Sequence, residues 1–565
     1  MKTMKRIVFM PFCAMCFGLI LYSCFNPEIN SDETNYPELS TLNRIIVVEK
    51  VTSRTKPSVN DPASFEDFGF GKWHYGTGLR CDRRLDLMPV GYSPISAQSN
   101  DKLLRFFTIT DIHITDEESP ASGIVFYSKV GSFGITCYSP QMLYSTQVLN
   151  AAIYTANVLH QVDPLDFGIA LGDMVNSAQY NELRWFIDVM DGKKVKPDSG
   201  IKDDPIPGPH NDYQDEFQSV GLDKDIPWYA TIGNHDHFWM GVKPANDRVK
   251  KSVISENIFT VGNIFKDPNA MNDSLFVTGS IDGSTPYGTI IGAGVRAQMK
   301  SIPKIPADIN RRLLTKNDVI QEMSTTLTLP VGHGFIQTKS DNAFNGCYSF
   351  EPKSGLPLKV IVLDDTQDES EIRNDIYGYG TLENGRHDWL IRQLEAGQKE
   401  GKLMIIAAHI PIGVAPGQPV GWYDVTVESN LVEELKTFPN LLLWVSGHRH
   451  LNTVKAFPSS DINHPENSFW EVETKSLREF PQQLRTFDIL LNKDNTISIF
   501  ATNVDPIIRN NPFAALSRSY AIASNQLYGL EDTSNPNGEA SYNVELVKQL
   551  TPEMQLKMRD YVRPR

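Results

Sequence analysis

The sequence predicts an α/β fold, and two observations predict it. Five short runs, at residues 103–109, 165–171, 228–232, 403–408 and 441–445, are apolar at nearly every position. Continuous apolar runs of this length are expected of strands buried on both faces of a sheet. Between them lie segments of helical period, such as 141–162 and 180–190. Hydrophobic content of 41% and charged content of 21% suit a globular chain with a sizeable core. The 565 residues accommodate one large domain with insertions or two to four ordinary ones. The formal net charge of −15 argues against a non-specific nucleic-acid binder, because phosphate backbones are held by basic stripes. An anionic substrate then needs local positive charge, which bound metal ions can supply.

The first 23 residues read as a signal peptide. Lys2, Lys5 and Arg6 precede an apolar run over 7–21, shorter than the roughly 20 residues of a membrane span. The run ends in Leu21-Tyr22-Ser23-Cys24, which resembles a bacterial lipobox with Cys24 as the lipidated first mature residue. That implies a cell-envelope protein held by its lipid anchor, facing the periplasm or the cell surface, with secretion as the alternative. Membrane contact is expected through the anchor alone. Residues 24–42 are rich in Pro, Asn, Ser and Glu and read as a flexible tether.

Residues 43–101 form an irregular lead-in with one strand at 44–51. The main domain is expected over 102–505, with an insertion around 241–345 that shapes the rim of its ligand-binding edge. Late strands are expected at 469–473, 486–491 and 496–500, with a turn at Lys493-Asp494-Asn495. Residues 506–565 read as a peripheral extension with a helix over 552–561 capped by Thr551. Cys81, Cys137 and Cys347 remain after the signal segment, an odd set without CxxC spacing, so no disulfide framework is expected.

Each of the five apolar runs is followed at once by metal-capable residues. In order these are Asp111-x-His113, Gly172-Asp173-x-x-Asn176, Gly233-Asn234-His235-Asp236, His409, and Gly447-His448-x-His450. Ligands of open α/β sheets bind beyond the carboxyl ends of strands, so five such clusters converge on one patch. Carboxylate, amide and imidazole together suit Mn, Fe, Zn or similar divalent ions, and the lack of cysteine argues against a structural zinc site. In an extended stretch, residues two apart point the same way. Asp111 with His113, and His448 with His450, can thus each clamp a metal.

The five blocks, present in order over about residues 102–505, resemble the calcineurin-like metallophosphoesterase superfamily. The resemblance implies a β-sandwich flanked by helices (α/β/β/α) and two divalent metal ions. The first ion would take Asp111, His113, Asp173 and His450; the second would take Asp173, Asn234, His409 and His448, with Asp173 as the bridge. It further implies hydrolysis of a small phosphate-ester substrate by a hydroxide shared between the ions. His235 is expected to protonate the leaving group, with Asp236 fixing its tautomer and raising its pKa. Asn176 is expected to be structural, and Arg449 to point away from the metals. His113 in the first block sets the chain apart from purple acid phosphatases and closer to cyclic-nucleotide phosphodiesterase-like branches. The expected substrate is therefore a phosphodiester or cyclic nucleotide-like ester. A phosphomonoesterase, or a metal-retaining surface binding protein without turnover, is the alternative. Trp239, Trp422 and Tyr423 lie near the motifs and could stack on a base, with packing the expected role.

Overall fold

The computed structural model describes residues 39–94, 101–129, 137–200, 206, 211–261, 276–336, 343–370, 377–412, 422, 425–529 and 542–563. The signal segment, Cys24, most of the tether and Tyr423 lie outside the described residues.

Two seven-stranded sheets dominate. In chain order their strands are β1 (Asp82–Arg84), β2 (Asp101–Ile109), β3 (Phe167–Ala170), β4 (Trp228–Ala230), β5 (Ala343–Phe344), β6 (Cys347–Phe350), β7 (Leu358–Leu363), β8 (Leu403–Ala408), β9 (Leu441–Ser446), β10 (Thr453–Phe457), β11 (Phe469–Glu473), β12 (Leu484–Leu491), β13 (Ile497–Val504) and β14 (Asn543–Lys548). The first sheet runs β1-β14-β13-β12-β2-β3-β4 and the second β5-β6-β7-β8-β9-β11-β10. Strands β2, β3 and β4 are mutually parallel, as are β7, β8, β9 and β11. All five strands expected from the apolar runs are among these seven.

Side-chain parity explains why those runs are apolar throughout. Phe106 and Ile169 point inward with Val360, Val362, Ile405, Val445 and Val472 of the second sheet, filling the space between the sheets. Their neighbours Phe107 and Ile109 point the other way, onto α1 (Ser145–Val162) and α2 (Tyr180–Met190) through Leu149, Ile153, Leu183 and Phe186. On the far side Ile361, Leu363, Met404 and Ile406 meet Trp389, Leu390 and Leu394 of α3 (Asn384–Lys399), and Leu431 and Leu435 of α4 (Val425–Leu435). Successive residues of a strand thus bury on opposite faces, and the result is the expected α/β/β/α sandwich. Burial of each such side chain contributes about 1.5–3 kcal/mol.

Three details differ from expectation. Strands β6 and β7 were not anticipated, although Leu358–Leu363 is as apolar as its neighbours and is followed by Asp364 and Asp365. Residues beyond 505 are not all peripheral: β14 is buried at every position and lies between β1 and β13. Its polar residues imitate a solvent-facing pattern but are buried on partners. Lys548 Nζ donates to the carbonyls of Glu466 and Ser468 (both 2.6 Å), and Asn543 Oδ1 accepts from Thr41 Oγ1 (2.8 Å). The lead-in likewise supplies β1, paired in parallel with β14. A helix α5 (Pro512–Leu527) follows β13 and packs on the turn preceding α1, where Ser517 Oγ donates to the Gln141 carbonyl (3.0 Å). The last helix, α6 (Pro552–Val562), is capped as expected by Thr551, which accepts from Met554 N.

The 241–345 insertion folds into short pieces, among them helices Asp247–Val253 and Lys316–Glu322 and several two-residue strands. None of the three described cysteines is in a disulfide. No helix of the described residues is long and apolar enough to cross a membrane.

Candidate metal centre

The parallel strands of both sheets end on one side, and their ends carry the polar clusters. Asp111 and His113 follow β2, Asp173 follows β3, Asn234–Asp236 follow β4, His409 follows β8, and His448 and His450 follow β9. The seven predicted ligands come together. Asp111, His113 and His450 form one group whose ligand atoms lie within 4.8 Å of one another; Asp173, His409 and His448 form another. Between the groups stands the Asp173 carboxylate, with Oδ2 3.6 Å from His113 Nε2 and 3.3 Å from His409 Nε2. Asn234 Oδ1 lies 3.1 Å from His409 Nε2, turned there by its amide, which donates to the Gly241 carbonyl (2.9 Å).

The extended-strand argument for paired ligands does not hold. Asp111, His113, Asp173, His448 and His450 all adopt left-handed backbone, with φ of 50°, 48°, 49°, 76° and 57°. That conformation costs non-glycine residues roughly 1–2 kcal/mol each, and such strain gathers at functional sites. The curl sends the two histidines of the last motif to different groups, His450 to Asp111 and His448 to Asp173. It also lets Asp111 Oδ2 accept from His448 N (2.9 Å), tying the first motif to the last.

The donor set fits cations. His409 donates Nδ1–H to the Leu171 carbonyl (2.7 Å), and His450 Nδ1 faces Glu479 at 2.9 Å. Both rings therefore present Nε2 to the carboxylates, and there each meets another imidazole nitrogen. His113 Nε2 is 3.3 Å from His450 Nε2, and His448 Nδ1 is 3.2 Å from His409 Nε2. Lone pairs aimed at lone pairs and carboxylates require positive charge among them. Asp111 Oδ1 and His448 Nε2 are buried without hydrogen-bond partners. Protonation shows the same demand. Burial opposes charge on His409, but Asp173 and Asp111 overcome it and hold the ring at about 10. Burial likewise opposes charge on His450, and Glu479 and Asp111 hold it at about 9. His448 is pushed down to about 3 by burial and the neighbouring His409. The buried Asp/His groups are thus a divalent-metal pocket in their chemistry.

His235 stands beside this pocket, its ring edge-on to His113 with centroids 4.5 Å apart. Its backbone N donates to Asp173 Oδ1 (2.8 Å), and its Nδ1 donates to the Asn176 carbonyl (2.6 Å). The tautomer is therefore set by Asn176, which corrects the role expected of Asp236. Asp236 is a turn clamp: Oδ1 accepts from Met174 N and Val175 N (2.8 and 3.2 Å) and Oδ2 from Gly233 N (2.8 Å). Nor is the pKa of His235 raised; burial holds it below the ordinary value. The ring's Nε2 edge faces Gly241, where φ is +69° and an added Cβ would lie 2.3 Å from Nε2.

Asn176 is structural, its Oδ1 accepting from Arg478 Nη1 (3.2 Å). Arg449 turns instead into a paired contact with Glu473, at 3.1 Å and 2.5 Å. Trp239 is 2% exposed and donates to the Ala121 carbonyl, and Trp422 is 5% exposed, so both pack rather than stack on ligand. Sequence reasoning missed Arg478 and Glu479, which brace Asn176 and His450. The signal was available, since Lys475-Ser476-Leu477-Arg478-Glu479 is a further polar cluster just after a buried parallel strand.

No protein-family model matches the chain, and no curated protein matches it. Among solved structures the chain is similar to a dimetal phosphatase from Danio rerio, at 10% identity over 72% of this chain and 98% of that one, with a TM-score of 0.34. It is also similar to a Staphylococcus aureus protein assigned as a 5'-nucleotidase, at 11% identity over 74% of this chain and 58% of that one, with a TM-score of 0.30. At these scores neither likeness bears on fold or function.

Proposed function

We propose that this chain is a two-metal hydrolase of phosphate esters, acting on phosphodiesters or cyclic nucleotide-like esters. The observation that carries the reading is the position of Asp173, whose Oδ2 stands between His113 and His409, each belonging to a separate ligand group. Two like charges side by side need such a shared anion. Asp111, His113, Asp173 and His450 would hold one ion, and Asp173, Asn234, His409 and His448 the other. Bound there, such ions would supply Lewis acidity toward phosphoryl oxygens and a water acidic enough to attack near neutral pH.

His235 carries the proton step. Its Nδ1–H stays on the Asn176 carbonyl, so Nε2 is the atom that gains and loses the proton. With the pKa held down by burial, a proton on Nε2 passes readily to the departing alkoxide oxygen. Only a glycine fits against that edge of the ring, since a Cβ at 241 would lie 2.3 Å from Nε2.

Metal analysis with a substrate panel tests the reading: bis-p-nitrophenyl phosphate and cyclic nucleotides against p-nitrophenyl phosphate. Two metals per chain and preference for the diesters are expected. Asp173→Asn is expected to lose metal and at least a hundredfold in turnover; full activity in this variant refutes the bridge. Faster cleavage of the monoester selects a phosphomonoesterase, and metal without any turnover selects a binding protein. The proposal includes a lipid anchor at Cys24, checked by loss of membrane partitioning in Cys24→Ser.

A further inference from the structure

The Arg478 side chain is 1% exposed and lies behind the histidine centre, tied to the first motif. Its backbone N donates to the Asp111 carbonyl (3.3 Å) and to Ser476 Oγ (3.1 Å), and Ser476 Oγ donates to the same carbonyl (2.7 Å). The two ends of the guanidinium then take different acceptors. Nη1 donates to Asn176 Oδ1 (3.2 Å) and Nη2 to Glu479 Oε1 (3.1 Å), while Nε is buried without a hydrogen-bond partner. Both acceptors touch the centre. Asn176 holds the His235 ring through its carbonyl (2.6 Å). Glu479 Oε1, the same atom that takes Nη2, faces His450 Nδ1 at 2.9 Å.

These contacts close a ring. From His235 it passes through Asn176, Arg478, Glu479 and His450 to His113, whose Nε2 is 3.3 Å from His450 Nε2 and whose ring meets His235 edge-on at 4.5 Å. A planar guanidinium with donors in a fixed fork sets two acceptors relative to each other, which an ammonium cannot do. Its two arms act in opposite senses on the centre. The Asn176 arm holds the residue that orients His235. The Glu479 arm competes with His450 for one carboxylate oxygen and places a positive charge two hydrogen bonds from that imidazole. A carboxylate on the far nitrogen makes an imidazole a better ligand, so sharing the carboxylate weakens it, and a nearby like charge opposes a cation.

We propose that Arg478 is a positioning residue with two linked effects: through Asn176 it holds His235 in place for turnover, and through Glu479 it loosens the hold of His450 on a metal ion. The first effect rests on the hydrolase reading, and the second needs only that the histidine centre binds metal. One guanidinium thus raises turnover and lowers metal affinity together.

The test uses the full chain, stripped of metal and titrated with Co²⁺, with binding followed by the visible absorption of the bound ion. Arg478→Met is expected to bind Co²⁺ about tenfold more tightly than wild type, and Glu479→Gln about tenfold more weakly. Cleavage of bis-p-nitrophenyl phosphate is then measured at saturating Co²⁺. Arg478→Met is expected to lose about tenfold or more in kcat with KM within about twofold of wild type. In a His235→Ala background the same substitution is expected to change kcat by less than about twofold, because the residue it acts through is gone. A residue that merely props the fold would weaken Co²⁺ binding and lower kcat equally in both backgrounds. Either of those results, or unchanged Co²⁺ affinity in Arg478→Met, overturns the proposal. Should Arg478→Met fail to fold, Arg478→Lys replaces it. Its single ammonium, drawn to the Glu479 carboxylate, releases Asn176, so kcat is expected to fall about tenfold; wild-type kcat overturns the proposal. A wild type that cleaves no diester defeats the hydrolase reading, and the Co²⁺ affinities then decide the role of Arg478.

Discussion

His235 and Asp236 are neighbours with unrelated duties, and single substitutions separate them. His235 rests on a backbone carbonyl and Asp236 on three backbone N–H groups. His235→Ala is therefore expected to lower turnover by about 10²–10⁴ while metal content and Tm stay near wild type; unchanged turnover removes His235 from the chemistry. Asp236→Ala leaves three buried N–H groups without acceptors, at about 1–3 kcal/mol apiece. Its signature is a lower Tm together with lost activity, and a wild-type melting curve would contradict the clamp. The His237 ring, next in sequence, shows a third duty: buried, with Nε2 3.1 Å from Thr366 Oγ1, it links the turn to the second sheet.

At the scale of elements, the centre depends on how closely two strand ends approach. After β9, Gly447 passes so near the first motif that a Cβ there would lie 1.9 Å from Thr110 Oγ1 and 2.4 Å from Asp111 Oδ2. Gly447→Ala must push Asp111 aside or separate the sheets. Reduced metal content is expected, with activity down by at least tenfold; an alanine variant with full metal loading would show that the strand ends can part without harm. The β14 strand makes a different kind of prediction. Lys548 is buried, and burial lowers its pKa to about 7. In the unfolded chain it keeps its proton to about pH 10.4. Between those values the unfolded state binds more protons, so this residue makes stability rise with pH. Relative to Lys548→Met, wild type should gain stability between pH 7 and 9, read from urea midpoints; parallel pH curves for the two proteins would contradict the buried charge.

For the whole molecule, two sheets from distant parts of the chain build one pocket. The first sheet supplies Asp111, His113, Asp173 and Asn234, and the second supplies His409, His448 and His450. The groups Asp111, His113, His450 and Asp173, His409, His448 each join residues from both sheets, while a third, His113, Asp173, His235, lies on the first sheet alone. Metal binding is thus linked to closure of the sandwich, and stripping the metals is expected to lower the Tm of the entire fold rather than to loosen one loop. A chelated protein with an unaltered melting curve would refute that coupling.

The amino-acid sequence alone determined the strands that carry the site, because a strand buried on both faces must be apolar at every position and ends where metal-binding residues begin. It also singled out the seven candidate ligand positions, whose residue types and order are local text. It did not disclose β14, whose buried Lys548, Asn543 and Glu545 look like surface residues until their partners are seen. Tertiary structure decided the backbone route by which His448 and His450 reach different groups, through left-handed curls that no period-two argument anticipates. It also decided that Asn176 and not Asp236 orients His235. Both depend on backbone atoms brought together from distant segments, and backbone atoms are the same at every residue, so composition and spacing carry no trace of them.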